Sequence, residues 1–307
     1  MITMSKLGKL GALGNQLFQY ATLFGVSKKT GYEMKIPAPP GLVDGNLRVL
    51  GHVDDKYPIE KYDYSLGCFK IKSKYLTEKE LESINTSGKK KNKPLYSIFS
   101  KKIKYHYLES EFHFNPSIFK IRDKTNIIGY FQSEKYFEHC SKEIREQFKV
   151  QEKFFDKASK LMSTYRDGTN QIVSIHVRRK GHEKLKHQKV HKYNFNKYYK
   201  NAMGFFENNF PNVLFIIFSD DIQWCESKFR GSNIFFSKKN SAIVDFAMMK
   251  SCDHNIIVPS SYSWWASWLN KNDKKIVTMP DGDLFGIDGP RKTNDYLFEG
   301  IKRISIK

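Results

Sequence analysis

Residues 172–179 read Ile-Val-Ser-Ile-His-Val-Arg-Arg, and this segment decides the fold class of the chain. An apolar run of strand length ends there in one imidazole and two guanidinium groups. Continuous apolar runs of this kind are typical of strands buried on both faces of a parallel sheet. The segment therefore predicts a parallel strand whose carboxyl end carries polar chemistry.

Similar runs follow along the second half of the chain and alternate with segments that can form helices. The apolar runs lie at 213–218, 233–236, 255–258 and 275–278, and the helical segments at 196–208, 241–251 and 263–270. This alternation predicts an α/β domain with helices on both faces of a parallel sheet. Small and polar residues cluster at 163–170, before the first run. We therefore expect two domains, 1–165 and 166–307.

The amino-terminal segment predicts a short strand, a turn rich in glycine and then a helix from about Asn15. The turn contains Gly8, Gly11 and Gly14, and the apolar residues after it have helical spacing. Further on, residues 83–104 are rich in lysine. Because like charges repel, we expect a solvated excursion there; a specific nucleic-acid patch is the alternative.

Composition limits the classes of protein to consider. The 307 residues are 40% hydrophobic, which excludes a disordered or collagen-like chain. The 52 basic residues exceed the 32 acidic ones and give a formal net charge of +20. Such a surface favours anionic partners, which include phosphates, nucleic acid and acidic membranes.

Cysteine spacing and hydropathy bear on the compartment. The four cysteines form no C-x-x-C pair, so we expect free thiols in a reducing compartment. No signal-peptide core and no run long enough to cross a membrane is present. The sequence predicts a cytoplasmic protein that can rest peripherally on the inner face of a membrane.

The strand that ends near His176 and Arg178 predicts a ligand site, because ligands bind at the carboxyl ends of strands in open α/β sheets. A guanidinium fork matches phosphate oxygens and stays charged, so Arg178 suits a diphosphate. Exposed basic residues that merely follow a strand are the alternative.

Residues 253–265 predict a second strand followed by a helix that opens on serines. A phosphate oxygen suits the amide groups and the positive dipole at such a helix start, near Ser260 and Ser261. Ordinary capping by the serines is the alternative. We expect Trp264, Trp265 and Trp268 to pack the helix rather than to form a sugar platform, since they cover more than one face.

Several acidic and histidine residues need separate interpretations. Asp245 lies among apolar neighbours and needs a partner, which a guanine edge or the helix dipole can supply. Asp220-Asp221 predicts a helix cap, with an active-site role left open. Asp281-Gly-Asp283 predicts a turn rather than a metal-binding pair. The pair His187/His191 has helical spacing but lacks the glutamate of a zinc motif, so no metal site is predicted.

Five segments, in order along the chain, carry a resemblance to a known family. They are Gly-Ala-Leu-Gly-Asn-Gln-Leu-Phe-Gln-Tyr-Ala at 11–21, Gly-Tyr-Phe-Gln-Ser-Glu-Lys-Tyr-Phe at 129–137, His-Val-Arg-Arg at 176–179, Phe-Ser-Asp-Asp at 218–221 and Ser-Ser-Tyr-Ser-Trp-Trp-Ala-Ser-Trp-Leu at 260–269. Together they resemble glycosyltransferase family 11, the α-1,2-fucosyltransferases.

The resemblance implies a GT-B-like enzyme, with two Rossmann-like domains, an acceptor-side amino-terminal domain and a GDP-sugar-binding carboxyl-terminal one, and an interdomain cleft. The reaction would move L-fucose from GDP-β-L-fucose, with inversion, to the 2-hydroxyl of a terminal galactose in a surface glycan such as an O-antigen. The acceptor would be an oligosaccharide or a lipid-linked glycan. No cofactor, metal or nucleic acid would be needed.

The resemblance also implies roles for individual residues. Arg178 would be the catalytic contact to the β-phosphate. Donor-binding roles fall on residues in both halves: His176, Asp245, Ser260, Ser261, Tyr262, Gly14, Asn15 and Gln16. His176 would lie near the guanine and Asp245 would accept its N–H groups. The loop 11–16 would face the fucose and the phosphates. No residue is assigned as the base.

Two departures from the family pattern leave other functions open. Lys180-Gly181-His182 stands where members of the family usually have Gly-Asp, and Val258-Pro259 stands where they tend to have Ser-Asn. The alternatives are a related GDP-sugar transferase with a changed donor or acceptor, an inactive lectin-like member, and a basic protein that binds nucleic acid.

Overall fold

The computed structural model describes residues 1–39, 64–87, 103–110, 112–179, 195–282 and 293–306, together with two short strands at 42–43 and 46–47. The chain divides into two compact units, Met1–Lys149 and Val150–Lys307. In the described ranges no helix has the length and apolar character needed to cross a bilayer.

The first unit is built on a five-stranded parallel sheet in the order β5-β2-β1-β7-β6. Its strands are β1 (Ile2–Thr3), β2 (Met34–Ile36), β5 (Lys74–Tyr75), β6 (Tyr105–Leu108) and β7 (Thr125–Ile128). Two more strands, β3 (Leu42–Val43) and β4 (Asn46–Leu47), pair with each other in antiparallel fashion. The helices are α1 (Leu13–Thr30), α2 (Glu78–Ser87) and α3 (Ser141–Gln147).

Helix α1 begins at Leu13, two residues before the expected Asn15, so Gly14 lies in the helix rather than in the predicted turn. The helix is buried along most of its length. It ends at Gly31, whose φ of 72° is left-handed and whose N–H donates to the Ser27 carbonyl at 2.9 Å. Glycine is suited to this helix end because it adopts a left-handed backbone conformation that other residues disfavour. Short 3₁₀ helices pack around α1 at Leu66–Cys68, Pro116–Lys120, Glu134–Tyr136 and Glu138–Cys140.

The second unit contains a six-stranded parallel sheet in the order β10-β9-β8-β11-β12-β13. The strands are β8 (Gln171–Val177), β9 (Val213–Ser219), β10 (Ile234–Phe236), β11 (His254–Ile256), β12 (Val277–Pro280) and β13 (Ile301–Ile304). The helices are α4 (Glu152–Ser163), α5 (Phe195–Asn209), α6 (Ile222–Lys228), α7 (Ala242–Ser251) and α8 (Ser261–Trp268), with a 3₁₀ turn at Thr293–Tyr296.

The predicted parallel α/β architecture is confirmed, with differences at the edges. The strand expected at 275–278 lies at Val277–Pro280, and α8 begins two residues before the expected 263. Helix α4 was not predicted and packs against α7. It therefore belongs to the second unit, and the division falls at 149/150 rather than at the expected 165/166.

The three tryptophans of α8 are buried, so the expected packing role is confirmed. Trp264 and Trp265 are fully buried, and Trp264 Nε1 donates to the Tyr296 carbonyl at 2.6 Å. All four cysteines are free thiols in buried positions, as expected. Of the lysine-rich stretch, residues 88–102 lie outside the described residues.

Candidate active site

The carboxyl end of β8 places His176 against the start of α8. Its Nδ1 lies 2.9 Å from the Ser263 Oγ, and its imidazole ring lies 5.4 Å from the Tyr262 ring. The side chain is only 5% exposed. One ring nitrogen is thus fixed by a serine hydroxyl, and this contact orients the imidazole at the sheet edge.

Arg178 follows β8 and pairs with an acidic residue that follows the neighbouring strand β9. Its Nη1 lies 2.9 Å from Asp220 Oδ2, and 44% of its side chain is exposed. The other oxygen of Asp220 accepts the backbone N–H of Arg179 at 2.9 Å. The guanidinium is therefore held at the carboxyl end of the sheet, where an anion can still reach it.

Arg179 is held more firmly than Arg178. Its Nε donates to Asp221 Oδ2 at 3.0 Å, and its guanidinium lies 4.0 Å from the Trp224 ring centre. Asp221 also caps α6, because its Oδ1 accepts the Trp224 N–H at 3.3 Å. The expected cap at 220–221 is confirmed for Asp221, whereas Asp220 faces the arginines.

The start of α8, where we expect an anion to bind, has a serine at its cap position. Ser260 occupies the cap position with extended backbone, and its side chain makes no capping hydrogen bond. The expected alternative, capping by this serine, is therefore not what the structure shows. Ser261 and Tyr262 form the first turn of the helix, where amide groups and the helix dipole favour a negative group.

Tyr262 joins α8 to the start of α7. Its hydroxyl donates to the Ala242 carbonyl at 2.5 Å, and its ring packs on Phe246 at 5.5 Å. Burial raises the pKa of the Tyr262 hydroxyl well above its ordinary value, and Asp245 nearby raises it further. The hydroxyl therefore stays protonated and fixes the distance between the two helix ends.

Asp245 lies in the first turn of α7 and is bound by polar residues of the preceding loop. Its Oδ1 accepts the Ser237 hydroxyl at 2.6 Å. Burial raises the pKa of Asp245 to about 6, while hydrogen bonds from Ser237 and Asn240 lower it. Burial, and secondarily the charge of Asp245, raises the pKa of the Tyr165 hydroxyl. An extra hydrogen-bond donor would stabilise this carboxylate.

In the first unit, the start of α1 is fixed mainly by contacts inside that unit. Gln16 is fully buried; its Nε2 donates to the Gly11 carbonyl at 3.1 Å and its Oε1 accepts the Ser65 N–H at 2.8 Å. Gly11 has a φ of 83°, and a Cβ there would lie 2.4 Å from the Asn15 side chain. Gly14 is buried within the helix. The glycine turn and Gln16 together set the shape of this loop.

A second segment of the sequence, residues 129–133, lies beside that loop. Gln132 Nε2 donates to Asn15 Oδ1 at 2.6 Å. Gln19 Nε2 bonds to the carbonyl groups of both Leu10 and Gly129 at 3.1 Å. Because β1 and β7 are neighbours, the loops that follow them meet at the same edge of the sheet. Two of the five segments that carry the family resemblance, 11–21 and 129–137, are thus in direct contact in the first unit.

Within the described part of the chain, no group of three or more histidine, cysteine or acidic residues is arranged to hold a metal ion. Asp281 accepts the Gly282 N–H at 2.9 Å and lies 3.3 Å from Arg303, which fits the expected turn. Asp283, His182, His187 and His191 lie outside the described residues.

The structure brings most of the predicted residues into two groups. His176, Ser260, Ser261, Tyr262 and Asp245 share one edge of the second sheet, with Arg178 at the end of the same β8 strand. Gly14, Asn15 and Gln16 belong to the first unit. Sequence reasoning missed Ser237 and Asn240, the partners of Asp245. They stand in a polar loop with no periodic pattern, so no local signal marks them.

A family model described as Glycosyl transferase family 11 matches residues 63–283. An alpha-1,2-colitosyltransferase of Escherichia coli is 29% identical over 88% of this chain and 89% of its own. An O-antigen biosynthesis glycosyltransferase, WbnK, of the same organism is 27% identical over 93% and 96%. A galactoside alpha-(1,2)-fucosyltransferase 2 of Hylobates lar is 23% identical over 94% of this chain and 76% of its own.

Among solved structures, POFUT1 in complex with GDP has a TM-score of 0.53 at 10% identity and covers 93% of this chain and 98% of that one. This likeness shows the fold, and the expected GT-B-like class is confirmed. The family model spans well over half of the chain. The chain therefore belongs to glycosyltransferase family 11 and is a glycosyltransferase.

Proposed function

We propose that the protein transfers L-fucose from GDP-β-L-fucose to the 2-hydroxyl of a terminal galactose in a surface glycan. The observation that carries this proposal is the cluster at the carboxyl edge of the second sheet. Three groups lie there on neighbouring elements: the partly exposed guanidinium of Arg178, the start of α8 at Ser260–Tyr262 and the buried carboxylate of Asp245. These are the three kinds of group that a purine nucleoside diphosphate needs.

Guanine recognition falls to Asp245 in this proposal. A guanine edge presents two adjacent N–H donors, and a carboxylate accepts both. The Ser237 hydroxyl already fixes one oxygen of Asp245 at 2.6 Å, so the carboxylate is oriented before the ligand arrives. Because uracil and adenine do not present this pair of donors, the contact selects GDP over UDP and ADP.

The diphosphate would be stabilised by Arg178 and by the start of α8. As the bond between fucose C1 and the phosphate oxygen breaks, negative charge accumulates on the departing GDP. A guanidinium and backbone amides that are already in place stabilise this charge without having to reorganise. The diphosphate would compete with Asp220 for the guanidinium, which the exposed side chain permits. The oxygen of the galactose 2-hydroxyl would form the new bond to C1 from the opposite face, and its proton would pass to solvent water, since no residue is assigned as the base.

A change of donor sugar is the second candidate. The alpha-1,2-colitosyltransferase that this chain resembles shares the linkage in its name but not the sugar. The residues proposed here recognise GDP rather than the sugar ring, so they fit both donors. The acceptor is a surface glycan in this proposal, in keeping with the O-antigen function of the E. coli relative WbnK.

Donor titration tests the proposal directly. We expect GDP to bind in the presence of EDTA and UDP and ADP to bind at least tenfold more weakly, followed by transfer of labelled fucose from GDP-fucose to a β-galactoside. A parallel assay with GDP-colitose separates the two donor sugars. Tight binding of UDP with no response to GDP would contradict the whole proposal, whereas transfer of colitose alone would contradict only the fucose assignment.

A further inference from the structure

The segment from Gly129 to Gln132 leaves the carboxyl end of β7 in a conformation that one of its residues disfavours. Phe131 has a φ of 52°, in the left-handed region, where bulky side chains are rare. Its side chain is nevertheless buried, and its ring packs on Tyr136 with 5.3 Å between centres. Strong local contacts must therefore hold this turn.

Glu109 supplies those contacts. It follows β6 directly, next to β7 in the sheet, and its two carboxylate oxygens accept consecutive backbone N–H groups. Oε2 accepts from Tyr130 at 2.6 Å and Oε1 from Phe131 at 2.8 Å. Gly129 permits this close approach, because a Cβ there would lie 2.4 Å from the Glu109 Cβ.

The other side of the turn is bound to α1. The Gly129 carbonyl accepts from Gln19 at 3.1 Å, and the Gln132 side chain donates to Asn15 at 2.6 Å. The Gly129 carbonyl, the Phe131 ring and the Gln132 side chain are thus all held within the unit. The Tyr130 side chain is 37% exposed at the carboxyl edge of the sheet.

A turn that is held in a strained conformation by many surrounding contacts often marks a ligand site. Here the turn presents an aromatic ring with an apolar face and a polar tip. Such a ring packs against the apolar face of a sugar while its hydroxyl bonds to the sugar's hydroxyls. The position fits as well, because ligands of parallel sheets bind beyond the carboxyl ends of the strands.

We propose that Tyr130, held in place by Glu109, is the aromatic platform for the acceptor sugar of the transfer reaction. Tyr130 touches the substrate in this proposal, and Glu109 is a positioning residue that acts through the turn. The inference rests on the proposed function, since only a transferase requires an acceptor at this edge. It assigns the acceptor subsite to the first unit, from residues of that unit alone.

Acceptor kinetics of Tyr130→Ala test the platform. With GDP-fucose and lactose, we expect the KM for lactose to rise about tenfold, as loss of an aromatic contact implies, while the KM for GDP-fucose stays unchanged. Tyr130→Phe keeps the ring face and should stay within about threefold of the unaltered protein. The matched control is Tyr105→Ala: Tyr105 is 40% exposed but lies at the start of β6, at the opposite edge of the sheet.

Glu109→Gln tests the positioning role. The amide nitrogen of glutamine would face a backbone N–H, so the turn would lose one of its two hydrogen bonds. We expect a higher KM for lactose with an unchanged KM for GDP-fucose; a purely structural effect would instead lower the amount of active enzyme and leave both constants alone.

Two results would overturn the inference: an unchanged lactose KM in Tyr130→Ala, or an equal rise in Tyr105→Ala. If the unaltered protein transfers no sugar, the proposed function fails first, and a glycan array then tests the platform by itself. We expect β-galactoside glycans to bind the unaltered protein and Tyr105→Ala but not Tyr130→Ala. Equal retention by all three proteins, or by none, would contradict the platform.

Discussion

The two arginines at 178–179 show how the same residue type takes two roles in adjacent positions. Arg178 contacts one carboxylate and is 44% exposed, so its guanidinium remains accessible to a ligand. The Arg179 guanidinium contacts both the Asp221 carboxylate and the Trp224 ring, and its backbone N–H donates to Asp220. The first arrangement suits catalysis and the second suits stability.

Alanine substitutions should separate these roles. We expect Arg178→Ala to lower kcat by at least a hundredfold, because a preorganised charge is lost from the transition state, with little change in Tm. Arg179→Ala should instead destabilise the fold by about 1–3 kcal/mol through the lost charged hydrogen bond and ring contact. Steady-state assays and thermal unfolding measure both. Near-normal turnover of Arg178→Ala would contradict its catalytic role.

Donor binding should depend on pH through Asp245. Burial raises its pKa to about 6, so below that pH the folded protein carries a protonated side chain that cannot accept two guanine N–H groups. We expect the Kd for GDP to rise as the pH falls below 6, by up to about tenfold per unit. Asp245→Asn should bind GDP weakly with a flat profile. A flat profile in the unaltered protein would contradict guanine recognition by this carboxylate.

The raised pKa of Asp245 also affects the stability of the fold, and here a higher pH is unfavourable. Because the folded state holds the Asp245 proton more tightly than the unfolded state, stability without ligand falls as the pH rises from about 4 to about 6 and is level above that range. We expect Asp245→Asn to remove this part of the pH dependence in thermal unfolding. The carboxylate therefore costs stability at neutral pH, as residues retained for binding often do.

At the residue scale, the positions of the predicted site residues in the fold followed from the sequence, whereas their contact partners did not. His176, Arg178 and Ser261 stand at strand or helix ends that apolar patterning identifies. Glu109 and Gln19 act through backbone groups about 20 and 110 residues away, and no local pattern encodes such pairings. Gln16, expected to face the donor, has both ends of its side chain bonded within its own unit.

At the scale of elements, the buried strands were easier to predict from the sequence than the partly exposed strands and the short helices. The central strands β8 and β9 are continuous apolar runs and were predicted almost to the residue. The edge strand β13 reads Ile-Lys-Arg-Ile and is only partly buried, so its strand character depends on pairing with β12. Helix α6 has seven residues and begins at the cap residue Asp221, too short for a periodic pattern to emerge.

Two helical glycines offer a test of how closely α1 is packed. A Cβ at Gly25 would lie 2.2 Å from the Tyr136 carbonyl oxygen, whereas one at Gly204 in α5 would meet nothing within 4 Å. We expect Gly25→Ala to destabilise the protein by roughly 1–3 kcal/mol, because backbone must move. Gly204→Ala should stabilise it by about 0.5–1 kcal/mol through better helix propensity. Thermal unfolding distinguishes them, and a neutral Gly25→Ala would show that α1 can shift away.

At the scale of the whole molecule, we expected two domains that divide at 165/166, with α/β patterning evident in the second; the two compact units divide at 149/150. Helix α4 precedes the small, polar cluster at 163–170 from which we placed the division, yet it packs on α7. Tertiary contact, rather than composition, thus decides to which unit a connecting helix belongs. The chain as a whole also carries a formal net charge of +20, which is far more than the few basic residues of the proposed site supply.

We expect this charge to bind the protein to anionic membranes, where a lipid-linked acceptor would be found. Each basic residue near such a surface contributes about 1 kcal/mol, and salt screens the attraction beyond about 8 Å at physiological ionic strength. The protein should sediment with vesicles that contain phosphatidylglycerol and be released by about 0.5 M NaCl, a concentration that shortens the screening length further. Neutral phosphatidylcholine vesicles are the control.

The lysine run at 89–93, which lies outside the described residues, is the segment to vary in that experiment. Replacing Lys89, Lys90, Lys91 and Lys93 by glutamine removes four positive charges at once. Vesicle binding should weaken at least tenfold, while fucose transfer to soluble lactose should keep its rate, because none of the four residues belongs to the proposed site. Equal binding to neutral vesicles would refute the electrostatic account. Preference for duplex DNA over anionic vesicles would instead favour nucleic acid as the partner of this charge, since phosphate neutralisation gives steep salt dependence in that case too.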